Sequence, residues 1–167
     1  MGSTKNIAIG ALFAVIAALF QLMPFFFSEF FVFLTIFSAI PIYIVSRINP
    51  KSGVLSYFTA CLLIITLSVH EGIFFLSTNG IIGLTLGICS YYMKRRVTIW
   101  TVGSIVLATT LIIMNYCIEI PILGIELPGS MIIQMGIIFT ISIVSNILYY
   151  YFSDFIYNIL KKNLKNH

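Results

Sequence analysis

Charged residues are scarce in this sequence. Nine Lys and Arg and five Asp and Glu make up 8% of 167 residues, whereas 60% are hydrophobic. A soluble domain is about a quarter charged, and a soluble fold of this length could not bury so much apolar surface. We therefore expect lipid to be the solvent for most of the chain. The apolar segments leave no room for a separate soluble catalytic domain.

Motifs that carry catalysis or metal binding are also missing. The sequence has no H-E-x-x-H, no G-x-S-x-G and no phosphate-binding glycine loop. Cys61, Cys89 and Cys117 are widely spaced, form no C-x-x-C pair and lie in apolar segments, so they are typical of packing residues. The basic residues sit in short loops, where they orient membrane helices. The sequence therefore predicts no enzyme, no cofactor or metal, and no nucleic-acid partner.

Apolar segments long enough to cross a membrane recur along the whole chain. A spanning helix needs about 20 apolar residues, and Pro, Gly and charged clusters separate such segments here. The pattern predicts an all-α integral membrane bundle of six transmembrane helices in a single domain, 1–167. The predicted helices cover about 7–23, 29–47, 54–69, 73–93, 97–118 and 130–152. A kink is expected at Pro41, and 154–167 could continue as an amphipathic helix on the membrane surface.

The distribution of charge supports this number of helices. With six spans, all Lys and Arg fall on one side of the membrane, and Asp154 is the one acid that joins them. The basic residues are Lys5, Arg47, Lys51, Lys94, Arg95, Arg96, Lys161, Lys162 and Lys165. The acids on the opposite side are Glu29, Glu71, Glu119 and Glu126. Because cytoplasmic loops carry the excess of Lys and Arg, we expect both termini in the cytoplasm of a multi-pass plasma-membrane protein.

Strong hydrogen-bonding side chains concentrate in the half that this topology places outside. The predicted substrate-binding residues are Gln21, Glu29, Glu71, Asn79, Asn115 and Gln134. Polar groups in a bilayer are costly without partners or a ligand, and a pocket open to the outside would supply both. The same side chains could instead join the helices by hydrogen bonds. The sequence leaves both interpretations open for the cluster as a whole.

Two further features near the outer face also have alternative interpretations. His70 beside Glu71 could bind a metal or an amine, or could form a solvated loop with an acid at a helix start. The outer aromatic residues could stack on a planar or cationic ligand or face lipid. They are Phe25, Phe26, Phe27, Phe30, Phe31, Phe74, Phe75 and Tyr116. With no basic residue expected outside, a neutral or cationic, partly aromatic solute fits better than a strongly anionic one.

Small residues recur at helical spacing on two of the predicted helices. Gly10, Ala14 and Ala18 line one face of the first helix, and Gly80, Gly83 and Gly87 line a face of the fourth. Such stripes let helix backbones approach closely. For the fourth helix we expect packing within the bundle. For the first helix, internal packing and docking against a partner's helix are both open.

This sequence resembles the substrate-binding S components of energy-coupling factor (ECF) transporters in four features. They are its size, its six-helix topology, its outer polar bias and the A-x-x-x-A pattern at Ala14 and Ala18. This resemblance implies a subunit that captures a vitamin-like solute from outside, here small and neutral or cationic. It also implies docking, through Gly10, Ala14 and Ala18, on a transmembrane coupling subunit driven by two ATPases. A nickel or cobalt member would carry an N-terminal histidine, and the first histidine here is His70.

A second resemblance gives the alternative function. The stretch from Glu71 to Gly87 resembles uncharacterised membrane families with a similar fold. The MreD-type subunits of bacterial cell-shape complexes, which are similar in size and number of helices, are one neighbour. That resemblance implies a scaffold or assembly protein without a ligand. The two functions differ in one structural expectation. An outer cavity bordered by Gln21, Asn79, Asn115 and Gln134 favours the importer subunit, and a closed, fully packed bundle favours the scaffold.

Overall fold

The computed structural model describes residues 3–119 and 130–165, and these residues form helices with no strand among them. The elements are α1 (Ser3–Gln21), α2 (Met23–Phe26), a 3₁₀ segment (Glu29–Ser38), α3 (Ala39–Ile48), α4 (Pro50–Leu67), α5 (Val69–Ser77), α6 (Asn79–Tyr92), α7 (Arg96–Ile112), a π segment (Ile113–Cys117) and α8 (Met131–Lys165). The predicted all-α class is confirmed. The predicted loop after Glu119, including Glu126, lies outside the described residues.

Five helical stretches of the described chain are long and apolar enough to cross a membrane. They are Phe30–Ile48, Pro50–Leu67, Val69–Tyr92, Arg96–Cys117 and Met131–Asn163. The apolar part of α1, Asn6–Gln21, is shorter. These lengths and compositions indicate a multi-pass membrane protein. The prediction of six spans therefore depends on α1, which ends just before Pro24.

Capping residues move several helix boundaries away from their predicted positions. Asn49 Oδ1 accepts from the backbone N–H of Lys51 at 3.1 Å and of Ser52 at 3.4 Å, so α4 begins at Pro50 and not at Val54. Proline suits the first helical position because its missing N–H would have no helical partner there. Residues 70–72, predicted as a connection, lie inside α5, where Ser68 is the N-cap.

The helix changes type two residues before Pro41, where the sequence predicts a kink. The chain is 3₁₀ over ten residues, Glu29–Ser38, and becomes α-helical at Ala39. Proline has no N–H to donate to the carbonyl four residues earlier, here Phe37 at the end of the 3₁₀ segment. Runs of 3₁₀ helix this long are uncommon. The predicted second helix is therefore two segments with different side-chain periodicity.

Helix α3 lies at the centre of the bundle. Every residue from 39 to 46 is buried, and α3 packs most extensively against α6. The backbones approach closely because α6 presents glycines: a Cβ at Gly87 would lie 2.7 Å from the Tyr43 carbonyl oxygen, and one at Gly83 would overlap the Ala39 carbonyl. The expected internal packing of this glycine stripe is confirmed. α1 packs on α4, and α7 packs on α8.

Helix α8 is a single 35-residue helix, Met131–Lys165. At 1.5 Å per residue it is about 52 Å long, whereas the hydrocarbon core of a bilayer is about 30 Å thick. The predicted end of the last span near residue 152 is therefore not a break in the helix. The residues after Asp154 continue α8 in the same direction and do not form a separate surface helix.

Candidate solute-binding site

A buried hydrogen-bond network is centred on Gln21, the last residue of α1. Gln21 is fully buried. Its Nε2 donates to Glu71 Oε2 at 2.8 Å. Its Oε1 accepts from Ser38 Oγ at 3.0 Å and from Asn79 Nδ2 at 3.1 Å. One amide thus connects α1, the 3₁₀ segment, α5 and α6.

Asn79 extends the network to α8. The helix is interrupted at Thr78, where φ is −124° and ψ is −92°, so Asn79 starts α6 partway through the long apolar stretch Val69–Tyr92. Asn79 Nδ2 also donates to the Thr35 carbonyl at 3.0 Å, and Asn79 Oδ1 accepts from Tyr149 Oη at 2.8 Å. An amide oxygen can accept two hydrogen bonds. One acceptor position on Asn79 Oδ1 is therefore still free within the described part of the chain.

A partly open cavity of about 530 Å³ lies beside this network. Its walls come from the 3₁₀ segment, α5, α6, α7 and α8, and most of the lining side chains are apolar, among them Phe74, Leu107 and Leu111. Ile36, Leu148 and Phe152 border the cavity and are exposed on the surface of the bundle. The volume falls in the range of about 300–1,000 Å³ that is typical of small-molecule sites.

Four polar residues line the cavity: Thr78, Asn79, Ser145 and Tyr149. Tyr149 Oη is engaged by Asn79, and Thr78 Oγ1 donates to the Phe74 carbonyl at 2.5 Å. The Ser145 hydroxyl has no hydrogen-bond partner among the residues that the structure describes. The cavity therefore offers one free hydroxyl and one amide-oxygen position in an otherwise apolar wall. None of its lining residues carries a charge.

No protein-family model, curated protein or solved structure matches this chain. Its function must therefore be inferred from the cavity and the network around it.

The six predicted substrate-binding residues do not form one site. Gln21, Glu71 and Asn79 share the network, and of these Asn79 lines the cavity. Asn115 is half-buried in the π segment and makes no hydrogen bond to the described residues. Gln134 accepts from Tyr116 Oη at 2.5 Å, which joins the π segment to α8. The side chain of Glu29 lies outside the description.

The outer aromatic residues divide between the two predicted environments. Phe25, Phe26, Phe27 and Phe30 are exposed on the bundle surface, as expected for lipid-facing side chains. Phe75 is fully buried and stacks on Tyr57, with ring centroids 6.1 Å apart. Phe74 lines the cavity. One aromatic residue of the predicted outer set is therefore placed to contact a solute.

His70 and Glu71 occupy the first turn of α5. Ser68 Oγ accepts from the Glu71 backbone N–H at 3.4 Å, so the acid stands at a capped helix start, where a negative charge is favourable. His70 is exposed. Within 3–119 and 130–165, no three His, Cys, Asp or Glu side chains come together to hold a metal ion. The acid therefore stands at a helix start, as one interpretation expected, but within α5 and bonded to Gln21, not in a solvated loop.

The small-residue face of α1 has a partner inside the chain. Ala14 is fully buried and Ala18 is 5% exposed. Ser56 Oγ on α4 donates to the Gly10 carbonyl at 2.9 Å, and a Cβ at Gly10 would lie 2.8 Å from that oxygen. The face that the ECF resemblance assigned to docking is therefore occupied by α4. Of the two interpretations left open by the sequence, the structure favours internal packing.

Sequence reasoning missed the contribution of α8 to the cavity. Tyr149 lies within the predicted last span, 130–152, and donates to Asn79 inside the bundle. The spacing shows that four lining residues of α8 share one helix face, since Ser145, Leu148, Tyr149 and Phe152 are separated by three or four residues. It does not show that this face borders a cavity.

Replacing Gln21 with Leu should lower the free energy of unfolding by about 2 kcal/mol, because three partners lose a buried hydrogen bond at once. The measurement is unfolding in mixed micelles of increasing dodecyl sulfate content, followed by circular dichroism. Thr109→Val is the control, since the Thr109 hydroxyl bonds to the Ile105 carbonyl of its own helix on an exposed face. Equal effects in the two variants would contradict a structural role for the network.

Proposed function

We propose that this protein is the solute-binding subunit of a membrane importer of the ECF type, and that its solute occupies the 530 Å³ cavity. The supporting observation is an apolar cavity of small-molecule size that presents a free hydroxyl and a free amide-oxygen position. Because the lining residues are uncharged, a neutral solute fits better than a cation. Its expected chemistry is largely apolar, with a donor for Asn79 and an acceptor for Ser145, as in a vitamin-like molecule.

The proposal includes six transmembrane spans with both termini in the cytoplasm. α1 packs along α4, which is itself long enough to cross the membrane. Arg47, near the end of α3, lines one small pocket together with Lys94 and Arg96, which lie where α6 connects to α7. This clustering supports a single basic end of the bundle. The positive-inside rule then assigns that end to the cytoplasm of a plasma-membrane protein.

The proposal includes partner chains that supply the energy of import. These are a transmembrane coupling subunit and its two ATPases. The small-residue face of α1 is covered by α4, which leaves the opposite face for contact with lipid or the coupling subunit. That face carries Leu12, Val15 and Leu19, each about half exposed.

A ligand-free scaffold protein of MreD-like type is the second candidate. It is favoured by one observation: Gln21, Ser38, Asn79 and Tyr149 satisfy one another without a ligand. A scaffold requires such mutual satisfaction, whereas a binding site requires unused hydrogen-bonding groups. The cavity and the free Ser145 hydroxyl are the features that a scaffold does not explain.

Filling the cavity should abolish solute capture. In Ser145→Phe, the added ring occupies the space beside Asn79 and removes the free hydroxyl. Tagged protein would be purified from its native membrane in mild detergent, and its co-purifying small molecules and proteins identified by mass spectrometry. We expect a small molecule in the original protein, at least tenfold less of it in the variant, and a coupling subunit with ATPases in both.

The matched control is Thr140→Phe on the same helix. Thr140 is exposed, and its hydroxyl bonds to the Gly136 carbonyl, so this change adds the same ring on the outside of the bundle. Solute recovery should equal that of the original protein. Recovery of assembly proteins without any small molecule would replace the importer proposal with the scaffold.

A further inference from the structure

A second cavity, of about 360 Å³, lies at the basic end of the bundle and differs from the first in its lining. It is formed where α3 and α6 end, α7 begins and α8 passes. Three cations line it, Arg47, Lys94 and Arg96, together with one carboxylate, Asp154. This is a charged cavity with an excess of positive groups, and it is separate from the proposed solute site.

The carboxylate in this cavity is already neutralised. Asp154 pairs with Arg47, whose guanidinium also donates to Tyr43 Oη at 2.6 Å and lies 4.1 Å from the centroid of the Tyr157 ring. Arg47 is thereby held in one position. Lys94 and Arg96 have no carboxylate partner in the part of the chain that the structure describes. The cavity therefore keeps two uncompensated positive charges.

Uncharged hydrogen-bond donors at this cavity favour an anionic ligand, as its two uncompensated positive charges do. α7 is a 17-residue helix that begins at Arg96, and the Arg95 side chain makes no capping hydrogen bond. The N–H groups of a first helical turn have no intrahelical acceptor, and together with the helix dipole they favour anions. Tyr150 lines the cavity and is 5% exposed. Its hydroxyl has no hydrogen-bond partner within 3–119 and 130–165.

We propose that this cavity binds the phosphate group of an anionic phospholipid. Two cations, a helix N-terminus and the unpartnered hydroxyl of a tyrosine that is 5% exposed match a phosphate with several acceptor oxygens. The acyl chains can lie along exposed apolar residues that neighbour the lining residues in sequence. These are Tyr92 on α6, Val97 on α7 and Phe155 on α8. Basic pockets between membrane helices on the cytoplasmic side suit such headgroups. This inference rests on the proposed orientation of the bundle and not on the proposed solute.

The test is lipid binding by the full-length, delipidated protein in detergent, measured by native mass spectrometry with titrated phosphatidylglycerol. Phosphatidylcholine and inorganic phosphate are the comparison ligands. We expect phosphatidylglycerol to bind in preference to both. In the double variant Lys94→Gln/Arg96→Gln its affinity should fall about 30-fold, or roughly 2 kcal/mol for two headgroup-facing cations.

The control is Lys161→Gln/Lys162→Gln, which removes the same charge from exposed positions on α8 outside the cavity. The affinity of this control variant for phosphatidylglycerol should stay within about threefold of that of the original protein. Tyr150→Phe should weaken binding about fivefold through the loss of one hydrogen bond, without any change in charge. Equal losses in the two double variants would show diffuse surface attraction and overturn the proposal. Binding of inorganic phosphate as tightly as the lipid would also overturn it, in favour of a soluble phosphate.

Discussion

Adding one methyl group at Gly83 should destabilise the bundle by about 3 kcal/mol, the upper end of the usual cost of overpacking. A Cβ at this position would overlap the backbone carbonyl of Ala39. Backbone atoms of a fully packed helix cannot rotate away as the end of a side chain can. Gly83→Ala must therefore separate α3 from α6, and α3 is buried along residues 39–46. Unfolding in mixed detergent micelles measures this loss.

Gly136→Ala is the matched control for this substitution. Gly136 lies in α8, and no atom comes within 4 Å of a Cβ built there. Because alanine favours a helix over glycine by up to about 1 kcal/mol, the variant should be unchanged or slightly more stable. Similar stability losses in the two variants would mean that the α3–α6 contact is looser than described.

Replacing Asp154 with Ala should cost about 2–3 kcal/mol. Arg47 and Asp154 join α3 to α8 across 107 residues of sequence, and their side chains are 22% and 19% exposed. Removing one partner of a fully buried pair costs about 3–5 kcal/mol because the other charge is left without compensation. Partial exposure reduces that cost here, since water can solvate the remaining Arg47.

A second variant separates the uncompensated charge from lost packing. In Arg47→Met/Asp154→Leu both charges are replaced by apolar groups, so most of the stability should return. Lys161→Ala serves as the control for a charge removed from an exposed position on α8, and its effect should stay within about 0.5 kcal/mol. The same detergent titration measures the stability of all three variants. If Asp154→Ala left stability unchanged, α8 would be held by its apolar contacts alone.

The sequence predicted the all-α class because segment length and polarity are local properties. The predicted start at Val54 was wrong for α4, although Asn49 and Pro50 are a typical N-cap and first helical residue. The placement of Asp154 among the basic residues followed from the count of spans. Its pairing with Arg47 did not follow, because a membrane topology assigns each helix end to one side of the membrane without showing which helix ends are adjacent.

The cavity could not be predicted because sequence gives depth in a membrane but not rotation about a helix axis. In a soluble helix an apolar stripe marks the buried face. In a membrane both faces are apolar, so the usual signal is lost. Nothing in the sequence therefore paired Asn79 with Tyr149, although the two share a hydrogen bond. Asn115 and Gln134 were placed with Asn79 on polarity alone, and the structure leaves both outside the cavity.

Because α8 is one continuous helix, a small tilt at the cavity produces a larger displacement at its C-terminal end. Tyr149 and Ser145 touch the cavity, and the same rigid rod continues to Asn163, about 21 Å further along the helix axis. A tilt of about 10° at the cavity would move Asn163 by roughly 4 Å relative to the other helices. A spectroscopic probe attached at this exposed position would amplify small movements of the cavity wall into a distance that can be measured.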